Sequence, residues 1–310
     1  MRGSLSLEDE ATIGKMMMQI NRSQSIDSLA FTAVITVASR TLILRDRLLG
    51  RVKRTPLEDD PCLEISRHTI CSGKQFLDAV FVAPTRRPAR AAVLLCHGIG
   101  ETVDHWLGVQ KLLAAQGIAS LVFDYTGYGT SIGRIRWKQC EEDTIEAFGA
   151  LEALLPDTSV SMLGFSLGSG IAAAVLDYIS PQKLILCSSF TSFQAAACCA
   201  GLPRGLSFLA PPIWNTEASL CRFSLPVLIL HCENDRLFPI QMASKLASSC
   251  KERAKLVIVP HQRHNDPFYR PDRQYWDHVI SMLVSDVVRE LGEHGKNSGT
   301  RKFKLQPFDS

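Results

Sequence analysis

From about residue 63 onward, short, nearly unbroken apolar runs alternate with amphipathic stretches, and this rhythm constrains the fold more than any other feature. Residues 92–96, 184–187, 227–230 and 256–259 are apolar throughout, and 118–123 and 160–163 are interrupted only by Ser120 and Ser161, with no polar residue at every second place. A strand that alternates apolar and polar side chains can leave one face in water, whereas an unbroken apolar strand must be covered on both faces. Between the runs lie stretches of helical period: 104–116, ending at Gly117; 141–155, with Ile145, Phe148, Leu151 and Leu155 on one face; 166–178; and 273–291. Two further strand-like runs, 63–70 and 75–82, flank Ser72-Gly73 as a hairpin. The pattern predicts an α/β domain: a mostly parallel central sheet of about eight strands, flanked by helices. In such sheets, sites gather at the carboxyl ends of the strands.

Around that domain, residues 1–60 read as an N-terminal helical extension and 61–292 as the α/β domain. Residues 293–310, with Lys296, Arg301, Lys302 and Lys304, read as a basic disordered tail. The extension contains an apolar run, 29–39, which is shorter than the roughly 20 residues that span a bilayer. About 28 mixed residues precede it, among them Glu8, Asp9 and Glu10, a poor match to a signal peptide. Packing on the domain is the ordinary outcome for such a run. A peripheral membrane contact would use residues 29–50. One segment breaks the alternation: 191–225 has no strand signal but carries Phe193, Leu202, Phe208, Leu209 and Trp214, with Pro211-Pro212 stiffening its path. An apolar insertion just before a sheet strand suits a small lid over a pocket, and equally a pair of ordinary packed helices.

Composition removes several classes of function. The net charge of +3 over 310 residues gives nucleic acid no electrostatic footprint. Ten cysteines are diluted along the chain without CxxC spacing, so neither a metal site nor a disulfide framework is expected. They read as reduced thiols of a cytoplasmic protein.

The chemistry concentrates in Gly164-Phe165-Ser166-Leu167-Gly168, placed between a predicted strand and a predicted helix. A serine at so tight a turn has its hydroxyl thrust out above the sheet, and the glycines leave room for the chain to reverse. A hydroxyl becomes a useful nucleophile only when a base removes its proton. His264, in the loop after 256–259, is the favoured base, with His261 as its rival. Asp235, past the end of 227–230, is the favoured carboxylate to orient that imidazole, with Glu233 as the alternative. Two backbone amides are expected to bind a developing oxyanion: that of Leu167, at the start of the helix, and that of Ile99, in the loop His97-Gly98-Ile99-Gly100. Phe193, Phe208 and Trp214 of the insertion are the expected substrate contacts.

The residues His97-Gly98-Ile99-Gly100, Asp124-Tyr125-Thr126-Gly127-Tyr128-Gly129, the turn at Ser166, the Asp235 loop and His264-Asn265-Asp266 together resemble the α/β-hydrolase superfamily. The likeness covers about residues 63–291. It is strongest to the branch of monoacylglycerol-lipase-like, serine-aminopeptidase-like and acyl-protein-thioesterase-like serine hydrolases. It implies hydrolysis of an ester, thioester or amide without a cofactor, the chain order serine, acid, histidine, and a structural turn at Asp124. Two positions depart from the pattern: Thr126 stands where an arginine-like residue is usual, and Arg263 replaces a glycine before the histidine. The expected partner is a small-molecule acyl ester or a lipid-like substrate. A peptidase or amidase would need a charged group to hold a peptide terminus, for which Arg204 and Arg222 are the candidates. A third reading, a binding protein on a hydrolase frame, would ordinarily have lost the serine or the histidine, and both are present here.

Overall fold

The computed structural model describes residues 56–269 and 271–285 and the backbone of 305–307. The expected N-terminal helical extension, with its membrane-contact stretch 29–50, and nearly all of the expected tail lie outside the described residues.

Each apolar run forms a strand of one sheet: β3 (Ala91–Cys96), β4 (Ile118–Phe123), β5 (Val160–Phe165), β6 (Leu184–Cys187), β7 (Val227–Cys232) and β8 (Ala254–Val259). These six pair in parallel. Every residue of β3 to β7 is buried, as strands covered on both faces require, while β8 at the sheet margin is only half-buried. The expected hairpin is formed by β1 (Leu63–Ser72) and β2 (Gln75–Pro84), which turn at Gly73 with φ 58°, and β2 runs antiparallel to β4. The strand order is β8-β7-β6-β5-β3-β4-β2-β1-β9. The ninth strand, β9 (Leu305–Pro307), comes from the stretch expected to be disordered, and it pairs antiparallel with β1. An edge strand presents a row of unpaired amides and carbonyls, and three residues of almost any composition can satisfy them.

Successive side chains of a strand point to opposite faces, so the sheet divides two cores. On one side Leu94, Met162 and Ile229 meet α2 (Trp137–Leu154), α3 (Leu167–Ala174) and α6 (Ile240–Cys250). On the other, Leu95, Leu163 and Leu228 meet α1 (Val103–Ala115) and α8 (Arg273–Val284). There Trp106 and Trp276 are fully buried, each contributing roughly 3 kcal/mol by area. Between β6 and β7 the insertion forms two short helices, α4 (Phe193–Cys199) and α5 (Thr216–Arg222), joined through a tight 3-10 turn, Arg204–Leu209. One further turn of helix, α7 (Asp266–Tyr269), follows β8. All ten cysteines are free thiols. Among the described residues no helix is long and apolar enough to cross a membrane.

Candidate active site

The chain leaves β5 and enters α3 through a single residue. Ser166 has φ 49° and ψ −115°, a conformation that side-chain-bearing residues avoid and that persists only where the surroundings impose it. Its amide donates to the Cys187 carbonyl at 3.0 Å, and its own carbonyl accepts from Ser169 Oγ at 2.6 Å. The glycines on either side are sterically required. A Cβ on Gly164 would stand 2.5 Å from the Gly168 carbonyl oxygen, and one on Gly168 would stand 2.1 Å from that of Cys96.

Asp235 lies beyond the end of β7 and His264 beyond the end of β8. The loops that bear them are tied by backbone bonds: Glu233 N–H donates to Val259 O and Asn234 N–H to Gln262 O, both at 2.9 Å. His264 Nε2 is 3.0 Å from Ser166 Oγ, and His264 Nδ1 is 2.6 Å from Asp235 Oδ2. An ionised carboxylate can only accept, so Nδ1 carries the proton and Nε2 is left as acceptor for the serine hydroxyl. The other oxygen, Asp235 Oδ1, accepts the amides of Leu237 and Phe238 at 2.8 and 2.9 Å. Burial pushes this carboxyl up, but the hydrogen bond and charge of His264, with the Phe238 amide, outweigh it and hold Asp235 below the ordinary range. The imidazole sits between the rings of Phe165 and Phe238, at centroid distances of 5.2 and 5.5 Å.

The rivals lie elsewhere. The His261 side chain is 93% exposed, and its Nδ1 is 3.9 Å from Glu233, so these two face each other in solvent. Of the two expected oxyanion donors, Leu167 N–H opens α3 directly after Ser166. Ile99 N–H lies in the loop after β3, and neither amide has a hydrogen bond among the described residues. The neighbouring Gly98 amide is engaged: it donates to Glu101 Oε2 at 2.8 Å. That same oxygen takes the Trp106 indole N–H at 3.0 Å. Burial pushes the Glu101 carboxyl up to about 7, against the opposing pull of both hydrogen bonds and of His264. His97 is fully buried beside Tyr125 and Tyr128, with Nδ1 2.8 Å from the Gly98 carbonyl, and burial takes its imidazole down to about 4. It is therefore a neutral part of the loop's frame.

Glu101 and His231 escape a reading of the sequence alone. A single carboxylate in a glycine-rich loop looks like a solvated charge, and a histidine inside an apolar run looks like core. His231 is buried, its Nε2 2.9 Å from the Phe238 carbonyl and 3.7 Å from Asp235 Oδ2, so it braces the acid loop.

Of the three expected substrate contacts, Phe193 and Trp214 pack together. Trp214 is buried and donates its indole N–H to Glu141 Oε1 at 2.8 Å. Phe193 is half-buried and packs with Trp214 against Trp137. Phe208 is 70% exposed. Arg222 pairs with Asp177 at 2.8 Å, while Arg204 is exposed. Among the described residues no group of three or more His, Cys, Asp or Glu side chains is placed to hold a metal ion.

Comparison with known proteins agrees with this architecture. Residues 87–214 match the Hydrolase_4 family, described as serine aminopeptidase, S33. The lysophosphatidylserine lipase ABHD12 of Macaca fascicularis is 29% identical over 225 residues, 64% of this chain and 56% of that protein. Its mouse counterpart is 28% identical over 260 residues, 74% of this chain and 65% of that one. The chain thus spans between half and two-thirds of the length of these curated relatives. Among solved structures, the esterase Pf2001 of Pyrococcus furiosus superposes with a TM-score of 0.59 at 17% identity, over 75% of this chain and 95% of that one. Est1E of Butyrivibrio proteoclasticus gives 0.57 at 19%, over 70% and 96%. At such identities these structural likenesses speak for the fold. Sheet order, matched segment and relatives agree, and the chain has the α/β-hydrolase fold.

Proposed function

We propose that this protein is a serine hydrolase that cleaves carboxylic esters or thioesters with an apolar acyl group, using Ser166, His264 and Asp235. The observation that carries the reading is the unbroken relay from Ser166 Oγ through both ring nitrogens of His264 to Asp235. Ser166 Oγ attacks the acyl carbon as its proton passes to His264 Nε2, and the charge that appears on the imidazolium is balanced by Asp235. The carbonyl oxygen, now negative, accepts the amides of Leu167 and Ile99, each worth about 3 kcal/mol at the transition state. As the tetrahedral species collapses, the bond to the leaving group breaks and Nε2 returns the proton to the departing alkoxide or thiolate. Water then attacks the acyl-enzyme, with His264 again as base, and the acid is released with Ser166 restored. No step draws on a cofactor.

Apolar acyl chains are the substrate class favoured by the insertion 191–225, which we read as a lid, with Phe193, Phe208 and Trp214 as its acyl-facing candidates. The lipase relatives support an ester of a lysophospholipid or similar single-chain lipid. The family description, serine aminopeptidase, supports amide hydrolysis as the second reading. The ion pair of Arg222 with Asp177 weighs against it, since that cation is not free to hold a peptide terminus. A cytoplasmic setting rests on the diluted, unpatterned cysteines. The test is labelling by a fluorophosphonate probe, with turnover of p-nitrophenyl esters of increasing chain length beside an aminoacyl amide. Labelling and ester turnover should both vanish in Ser166→Ala. A folded protein that neither labels nor turns over any ester sinks the proposal.

A further inference from the structure

Seven large apolar side chains are exposed among the described residues: Phe76, Ile99, Ile132, Tyr178, Phe208, Leu209 and Tyr269. Their distribution follows from the topology. Ile99, Ile132 and Tyr269 lie on segments that follow β3, β4 and β8, and Phe208 and Leu209 lie in the insertion that follows β6. Each of these strands ends on the rim where Ser166 emerges. Phe76 joins them because β2 is antiparallel to β4: Ala79 pairs with Phe123, the last residue of β4, so Phe76 lies beyond that strand's carboxyl end. Only Tyr178, at the far end of the turn that continues α3, stands at the opposite pole. Chance would divide such residues between the poles. A monomeric surface seldom gathers them on one face unless that face meets an apolar phase.

The same rim carries four arginines that lack an acidic partner among the described residues. Arg134, Arg136, Arg204 and Arg263 are exposed, and none has a carboxylate within ion-pair distance among the described residues. Most carboxylates of these loops are turned inward or hydrogen-bonded to backbone, and Glu233 is exposed. Glu101 and Asp235 are engaged as described, and Asp124 is buried and accepts the Val103 amide. Glu233 faces His261, while Asp266 and Asp272 accept the amides of Arg263 and Tyr275. A second copy of this chain presenting the same face would set like charges against each other. Nucleic acid phosphates would meet the arginines but offer nothing to Ile132, Phe208 or Leu209. A lipid surface with anionic headgroups satisfies both: apolar side chains enter the acyl boundary and guanidinium groups meet phosphate.

We propose that the Ser166 rim is a docking face for an anionic phospholipid surface, seating Phe208, Leu209 and Ile132 in the lipid boundary and Arg134 and Arg204 at the phosphates. The inference rests on the lipid-ester reading above, since docking would present the scissile acyl bond to Ser166 without a passage through water. It is distinct from any contact made by residues 29–50.

The experiment is flotation of the full chain with vesicles of phosphatidylcholine, with and without phosphatidylserine. Every protein carries Ser166→Ala, so that the lipid stays intact. The parent should bind the phosphatidylserine vesicles, and high salt should weaken that binding. Phe208→Ser/Leu209→Ser and Ile132→Ser/Arg134→Glu should each lower it about tenfold, with unchanged thermal transitions. If both variants bind as the parent does, or if the parent prefers uncharged vesicles, the rim is not the docking face. Soluble-ester turnover by the protein with Ser166 intact is measured separately. Rim-dependent flotation without turnover would unseat the catalytic reading alone.

Discussion

Replacing Asp235 with asparagine separates a contact from a catalytic role, because the two carboxylate oxygens perform different tasks. Oδ1 accepts two backbone amides, from Leu237 and Phe238, and Oδ2 accepts one proton from His264 Nδ1. Asparagine has one accepting oxygen and one donating amide group. Placing the oxygen toward the two loop amides keeps two hydrogen bonds, whereas placing it toward His264 keeps one and sets NH2 against two N–H groups. At about 1 kcal/mol for each bond kept, and more for each donor left facing a donor, the first orientation prevails. The NH2 then points at Nδ1, which must become an acceptor, and the ring proton moves to Nε2. In that tautomer Nε2 cannot take the Ser166 proton. The loss expected in kcat is roughly 10^3- to 10^4-fold, about 4 to 5.5 kcal/mol, with the fold preserved because the loop amides remain satisfied. Ester turnover at saturating substrate measures the rate, and urea unfolding checks stability. An asparagine variant within tenfold of the parent rate would refute the argument that this carboxylate sets the tautomer.

Two further substitutions test the surroundings of the site. Gly168→Ala should cost about 3 kcal/mol or more, because its Cβ would meet the Cys96 and His97 carbonyl oxygens at 2.1 and 2.7 Å and backbone cannot step aside. Gly205→Ala, with open space around it, should stay within about 0.5 kcal/mol, and equal urea midpoints for the two would contradict the packing described. Glu101→Gln keeps an acceptor for the Gly98 and Trp106 N–H groups but removes a titration. In the fold that carboxyl sits at about 7, above its ordinary 4.5, so between these values the native state holds the proton more firmly than the unfolded chain. Stability from this group is therefore full at pH 4 and falls as pH rises through 7, by roughly 3 kcal/mol. Relative to the parent, the glutamine variant should gain stability between pH 5 and pH 8. A difference in unfolding free energy that stays flat with pH would dismiss Glu101 as the source.

The parts of the fold legible from composition along the chain are those with one physical explanation. β3 to β7 are nearly continuous apolar runs, interrupted only by Ser120, Ser161, Gly164 and His231, because both their faces are covered. Helix starts are less visible. α2 begins at Trp137, four residues before its apolar period is apparent, since its N-cap is Arg136 in extended backbone with no side-chain cap to announce it. The helix after Ser166 tightens into a 3-10 turn at Val175–Asp177, a change of pitch that periodicity does not register. In the site, Ser166, Asp235 and His264 are readable because each stands just past a recognisable strand. The insertion is harder, because an aromatic residue type does not say which way it faces. Trp214 is turned inward to Glu141 and Phe208 outward to solvent, from segments of similar apolar character.

The backbone bonds that join the loops after β7 and β8 divide the molecule's freedom to change. Asp235 and His264 ride on a single bracket whose span is set by neighbouring strands, so a residue gained or lost within 233–235 or 260–264 would pull the two side chains out of register. The segment 191–225 hangs outside that bracket, entering after β6 and returning before β7. New lengths and side chains can be tried there while the contacts of His264 with Ser166 and Asp235 stay in place. A lineage built on this frame can change what it digests far more readily than how it does so.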